Sequence, residues 1–277
     1  MTALAAVAGA VTVVTGFEKG SGKTTFLNLA LPYARACGPA AVFTIGVDGA
    51  LKAGEGGSIQ VEAGDVVMTT EALARASSAR FEVLEAVPGR TALGPLFLGR
   101  ALRAGAVTLV GAEHFSTLAA MVRRVREEGW AASVLVDGAV NRITQAAALG
   151  DAQFAFTARV EPANQARTAA RIRALAALAA LPRPTGATRP LEGPVTPETL
   201  KDLDGSPLDL SVADFTKFFL EPQELLRTLE RHRWSVRRRL SLLGFAVSLR
   251  GVDREAFLRA AGPQAAPALL FDLCEAG

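Results

Sequence analysis

The residues best suited to chemistry lie in "TGFEKGSGKTTF", positions 15–26, and above all in Gly22-Lys23-Thr24-Thr25. A loop that grips phosphate needs consecutive backbone N–H groups turned inward around the anion, with a helix N-terminus behind them. Glycine permits the dihedrals and the close approach, and Gly20 and Gly22 stand where they are needed. In such a loop Lys23 reaches the β- and γ-phosphates and the Thr24 hydroxyl ligates Mg²⁺. Lys19, Gly20, Ser21, Gly22, Lys23, Thr24 and Thr25 are therefore the candidate nucleotide-binding residues. The usual pattern also wants a glycine five residues before Gly22, where this chain has Phe17. That glycine serves the tight exit from the preceding strand, a part Gly16 can take if the loop is one residue longer. The plainer alternative is a glycine-rich strand-to-helix turn with an incidental Lys-Thr pair.

A carboxylate must complete a magnesium site. Val134-Leu135-Val136-Asp137 is an apolar strand ending in an acid, the arrangement that holds the metal beside Thr24. Hydrophobic strands ending in Asp are common, so the motif gains its meaning from the loop upstream. Asp48, at the end of the second strand, is the runner-up and could orient an attacking water. Lys23, Asp48 and Asp137 are thus the candidate catalytic residues, and Thr24 and Asp137 the candidate metal ligands. Dimerising ATPases with a deviant loop carry a lysine five residues before the phosphate lysine; here that residue is Glu18, and Lys19 is one place off. No Asn/Thr-Lys-x-Asp motif of GTPases follows the loop, which favours ATP. Glu113-His114 follows a strand and reads as a catalytic pair or as a hydrogen-bonded turn. Asn141 and Arg142 could contact phosphate or a partner, or cap the next helix.

These residues need a scaffold, and short apolar runs alternating with helical patterns predict one: a mostly parallel α/β sheet flanked by helices, of the P-loop NTPase kind. VTVVT (11–15) is the first strand, the helix after the loop runs from about Lys23 to Cys37, and AAVFTIGVDG (40–49) holds the second strand. Residues 50–100 read as a β-rich insertion, with strands at Ser58 to Glu62 and Asp65 to Thr69, a helix from Glu71 to Ala79, and FEVLEAV and LFLGRALRAG beyond. AVTLVG (106–111), ASVLVDG (132–138) and AQFAFTARV (152–160) are further strands. Helices are expected over Ser116 to Glu128, with Leu118, Met121, Val122 and Val125 on one face, and over Ala163 to Ala180. Residues 1–180 form the nucleotide-binding domain in this reading. The proline-rich 181–197 stretch is a linker, and 198–277 a small α/β lobe.

Composition sets the outer limits. The 277 residues are 50% hydrophobic and 21% charged, which fits a globular rather than a disordered chain. Cys37 and Cys274 have no ligand-like spacing, and only two histidines occur, so a reduced cytoplasmic setting without a histidine-built zinc centre is expected. No long apolar run predicts a membrane span. The formal net charge is only +3, too small for general nucleic-acid affinity. Yet Arg227, Arg231, Arg233, Arg237, Arg238, Arg239 and Arg250 crowd one segment around Trp234. That cluster is either a surface for a protein partner or a solvated face.

Several stretches together resemble a known family: GSGKTTFLNL (20–29), TIGVDG (44–49), VEAGDVVMTT (61–70), TALGPLFLGRALRAGAVTLVG (91–111) and LVDGAVNR (135–142). They are similar to the smaller P-loop proteins described as reactivase subunits of adenosylcobalamin-dependent lysine 5,6-aminomutase. The resemblance covers roughly residues 11–160. It implies nucleotide binding at Gly20, Gly22, Lys23 and Thr24, and adds the Asp48-Gly49 and Asp137-Gly138-Ala139 turns to the site. Val47 stands where the family leads us to expect Arg, and Ala50 where it leads us to expect an acid. The implied activity is a hydrolase acting as a chaperone: ATP turnover opens an aminomutase to release damaged cobalamin, beside a second ATPase subunit. The wider expectation is an ATPase switch on a protein partner, with homo-oligomerisation open. The competing readings are a small-molecule kinase or ATP-dependent ligase, with residues 50–100 as substrate pocket, and an interaction module that keeps nucleotide as a structural ligand.

Overall fold

The computed structural model describes residues 3–45, 57–138, 149–203 and 206–271. Contacts divide the chain after Thr157, and the second compact unit runs Ala158–Phe271. In the first unit, β1 (Val11–Gly16), β2 (Ala40–Thr44) and β8 (Ser133–Gly138) are buried along almost their whole length. Strands apolar on both faces belong at the centre of a parallel sheet covered by helices. Accordingly β1 pairs in parallel with β8 on one side and with the start of β9 (Gln153–Val160) on the other, while β2 pairs with the far side of β8.

The segment expected as an insertion extends this sheet. β4 (Val66–Thr70) adds in parallel to β2, and β6 (Gly94–Arg103) and β5 (Arg80–Thr91) follow antiparallel. The strand order in this unit is β9-β1-β8-β2-β4-β6-β5. A separate antiparallel pair joins β3 (Ile59–Val61) to β7 (Gly105–Val107). The strand expected over 106–111 is therefore corrected: only its first residues pair, with β3. Leu109 and Val110 are buried without forming a strand.

Helix α1 (Lys23–Ala34) passes into a 3-10 turn at Arg35–Cys37 and stops before Gly38, whose φ of 108° suits only glycine. It buries Phe26, Leu27, Ala30, Leu31 and Ala34. The three large side chains are worth about 1.5–3 kcal/mol each. Helix α2 (Glu71–Ala76) is capped by the Thr70 hydroxyl, and α3 (Phe115–Glu127) buries Leu118, Met121, Val122 and Val125, the face its spacing predicts.

The second unit carries its own parallel sheet, with β10 (Arg189–Pro190), β11 (Asp209–Val212) and β12 (Arg233–Val236) in that order. The helix Pro222–Arg231 connects β11 to β12. The 181–197 stretch lies inside this unit: Arg189–Pro190 pairs with Leu210 and Ser211, and Val195 is fully buried. Trp234 fills the core beside Phe218, at 4.9 Å between ring centroids, and its Nε1 donates to the Thr228 carbonyl at 3.0 Å. β13 (Ser241–Leu249) pairs in parallel with β14 (Leu269–Phe271).

Candidate functional site

The chain leaves β1 towards β8 and β2, and later lays β9 along the other side of β1. In open α/β sheets, ligands bind beyond the carboxyl ends of the strands where the order reverses in this way. At that end of β1 stands the glycine-rich loop. Gly20 and Gly22 adopt φ of 77° and 92°, the left-handed region that the inward-turned loop requires. Gly22 caps α1 with no side-chain hydrogen bond, and the first turn holds no acid, so the positive end of the helix is not neutralised from within.

Gly16 supports the loop by what it lacks. A Cβ there would lie 1.9 Å from Ser21 Oγ, so the loop folds back directly over the strand end. Ser21 is buried, and its Oγ shares a 2.9 Å hydrogen bond with Thr157 Oγ1 on β9. The Phe17 N–H donates to the Thr157 carbonyl at 3.0 Å. The displaced glycine is thus the strand exit, as the longer loop requires. The hydrogen bond to Thr157 ties the Ser21 side chain, and with it the loop, to β9. Glu18, Lys19, Gly20 and Thr25 are exposed, and Lys23 and Thr24 are half-buried at the head of α1.

Register places Asp137 on the same side. Ser133 Oγ donates to the Ala34 carbonyl of α1 at 2.6 Å, so by the two-residue alternation Ser133, Leu135 and Asp137 face that helix. Asp137 pairs with Val14, two residues before Gly16, and with Thr44 on β2. Its backbone carbonyl accepts from Ile45 N–H at 2.9 Å. The carboxylate and the loop therefore share one face and one end of adjacent strands. Thr24 and Asp137 offer a hydroxyl and a carboxylate, hard oxygen donors of the kind that Mg²⁺ takes. Among the described residues no group of three or more His, Cys, Asp or Glu could hold a metal by itself.

Other expectations fall elsewhere. Asp48, Asn141 and Arg142 lie outside the described residues, as do Gly49 and Ala139. His114 caps α3 through its carbonyl, which accepts from Thr117 N–H at 3.1 Å, with no side-chain cap. That geometry matches the turn reading. In the second unit three arginines of the cluster, Arg233, Arg237 and Arg238, meet carboxylates. Both terminal guanidinium nitrogens of Arg237 donate to Glu192 at 2.9 Å, and Arg238 meets buried Asp214 at 2.8 Å. Arg233 pairs with its register partner Asp209, and its guanidinium holds that carboxyl below the ordinary aspartate range.

Sequence reasoning missed Gly57 and Asn28. A Cβ on Gly57 would lie 2.6 Å from Thr24 Oγ1, and Asn28 fastens the residues that follow Gly57 to α1. The glycine-rich run Gly54-Glu55-Gly56-Gly57 is the one signal in the sequence for a turn or a close approach there, and it does not say to what. A pocket of about 590 Å³ also opens between α2 and the β5–β6 hairpin, lined by Phe81, Val83, Pro95, Leu96 and Phe97 among others, with no residue of the loop in its wall. Comparison with protein-family models, curated proteins and solved structures finds no match. No helix among the described residues is long and apolar enough to cross a membrane.

Proposed function

We propose that this chain is a P-loop nucleoside triphosphatase, an ATP-driven switch acting on a protein partner. One observation carries the reading: Asp137 is register-paired with Val14 and shares the face on which the loop folds back over Gly16. The backbone N–H groups of Lys19 to Thr25 cradle the β- and γ-phosphates, helped by roughly half a unit of positive charge at the head of α1. Lys23 adds a mobile point charge. The Thr24 hydroxyl and the Asp137 carboxylate hold Mg²⁺, which when bound neutralises charge on the phosphate oxygens. Asp48 is proposed to orient the attacking water, and the absence of a guanine-reading motif favours ATP.

The partner rests on the resemblance to reactivase subunits: a cobalamin-dependent aminomutase that ATP turnover opens, beside a second ATPase subunit. The test begins with binding. Mg-ATP at a hundredfold excess over its dissociation constant should stabilise the fold by about 2.7 kcal/mol. Thermal unfolding with and without millimolar Mg-ATP and Mg-GTP reads this directly. No shift with either nucleotide sinks the proposal; a shift with GTP alone corrects the nucleotide. Asp137→Asn should bind ATP while losing most of the added effect of Mg²⁺, and full Mg²⁺-dependent hydrolysis by that variant would overturn the role given to Asp137.

A further inference from the structure

Thr24 is covered from one side. An added Cβ on Gly57 would come within 2.6 Å of Thr24 Oγ1, 2.7 Å of its Cγ2 and 2.9 Å of its Cβ, so only glycine fits against this side chain. Gly57 is kept there by Asn28, which lies four residues beyond Thr24 and therefore on the same face of α1. The Asn28 amide works in both directions: Nδ2 donates to the Ser58 carbonyl at 3.0 Å, and Oδ1 accepts from Gln60 N–H at 2.9 Å. Its two bonds bracket Ile59, which is buried.

A second, independent clamp holds the other end of β3. Arg35 donates to the Gln60 carbonyl at 3.0 Å and pairs with Glu62 at 3.1 Å. The same guanidinium reaches Asp65 at 2.6 Å, where burial and the Ala40 N–H hold the carboxylate in place. Arg35 therefore anchors the strand to the end of α1 remote from the loop. Asn28 acts near Thr24, and its loss leaves the strand still attached.

We infer that Asn28 is a positioning residue for the metal-side hydroxyl: by gripping Ser58 and Gln60 it seats the Gly57 backbone on Thr24. The seated backbone restricts the Thr24 rotamer and keeps water off one side of Oγ1, so the hydroxyl meets Mg²⁺ already oriented. This inference rests on the nucleotide-site reading above. It adds that metal affinity, rather than phosphate affinity, is set in part by a residue a full helical turn from any ligand.

The full-length chain serves for the test, with ATP titrated by calorimetry in excess EDTA and again across a Mg²⁺ series. Asn28→Ala should leave metal-free ATP affinity unchanged and weaken the Mg²⁺-dependent gain by roughly three- to tenfold, the range expected for about one net hydrogen bond. Asn28→Asp keeps the acceptor for Gln60 N–H but turns a carboxylate oxygen against the Ser58 carbonyl, and should lose at least as much as Asn28→Ala. Gly57→Ala tests the contact from the other side and should show the same selective loss. Parent protein that binds ATP, together with variants whose Mg²⁺ dependence is unchanged or whose metal-free affinity falls equally, overturns this inference alone. Parent protein that binds no nucleotide overturns both readings. Unfolding curves without nucleotide identify any variant that is simply destabilised, and Asn28→Asp and Gly57→Ala then decide between them.

Discussion

Two cation-bearing regions, one in each unit, were equally conspicuous in the sequence and are built on opposite principles. At the loop, Lys23 heads a helix with no acid in its first turn and no side-chain cap, and the donors around it belong to the backbone. In the second unit, Arg233, Arg237 and Arg238 each meet a carboxylate of that unit. The first region withholds the neutralising partners a helix terminus ordinarily finds, while the second supplies them. Charge density along a chain therefore says little about what a surface offers to a ligand. The pairing decides it.

The contrast yields a graded set of expectations. Lys23→Ala should remove most of the Mg-ATP stabilisation, whereas Arg237→Ser should keep it whole, since Arg237 is occupied by exposed Glu192. An equal loss in both variants would erase the distinction between the regions. A smaller effect is expected at Arg238. Its replacement by Ser leaves buried Asp214 with only the Thr216 N–H and hydroxyl, and should cost about 1–2 kcal/mol of stability with ATP binding intact. A change within experimental error would show that the arginine cluster is not self-neutralised there.

The smallest effect concerns pH. Arg233 lowers the pKa of Asp209, so this pair contributes stability above the ordinary aspartate range and loses it as pH falls through the depressed folded-state value. The melting difference between the parent and Asp209→Asn should therefore be present at neutral pH and close on acidification. A gap that widens in acid would mean that the pair does not set the shift.

What could be read from the sequence followed burial. β1, β2, β8 and β9 are short runs rich in apolar residues, β1 closed by Gly16 and β8 by Asp137-Gly138, and that composition already suits buried strands of a parallel sheet. The face of α3 was equally plain from its spacing. The hairpin was obscure because β5 is exposed or half-exposed almost throughout and its pairing with β6 shifts register at three points, which breaks the two-residue alternation. Leu109 and Val110 misled for the opposite reason, as an apolar pair can be buried without being a strand. In 181–197 the prolines hid the fully buried Val195 and a short pairing at Arg189–Pro190. At the candidate site the loop and Asp137 were legible as local motifs. The Gly57–Thr24 contact was not, because it joins residues far apart through a space that only the folded backbone defines.

The strand exit at Gly16 has a consequence for anyone who would redesign this protein by pattern. Moving the glycine one place, with Gly16→Ala and Phe17→Gly, would bring the loop into line with the commonest phosphate-loop consensus. It would also drive a methyl group into Ser21 Oγ, dislodge the hydroxyl from Thr157, and strip the ring that lies 6.0 Å from Phe156. The repaired motif would score better in any search for such loops and lose the packing that seats the loop on the strand end. Here the irregular spelling is the one that the fold accommodates, and a consensus-guided library would discard it first.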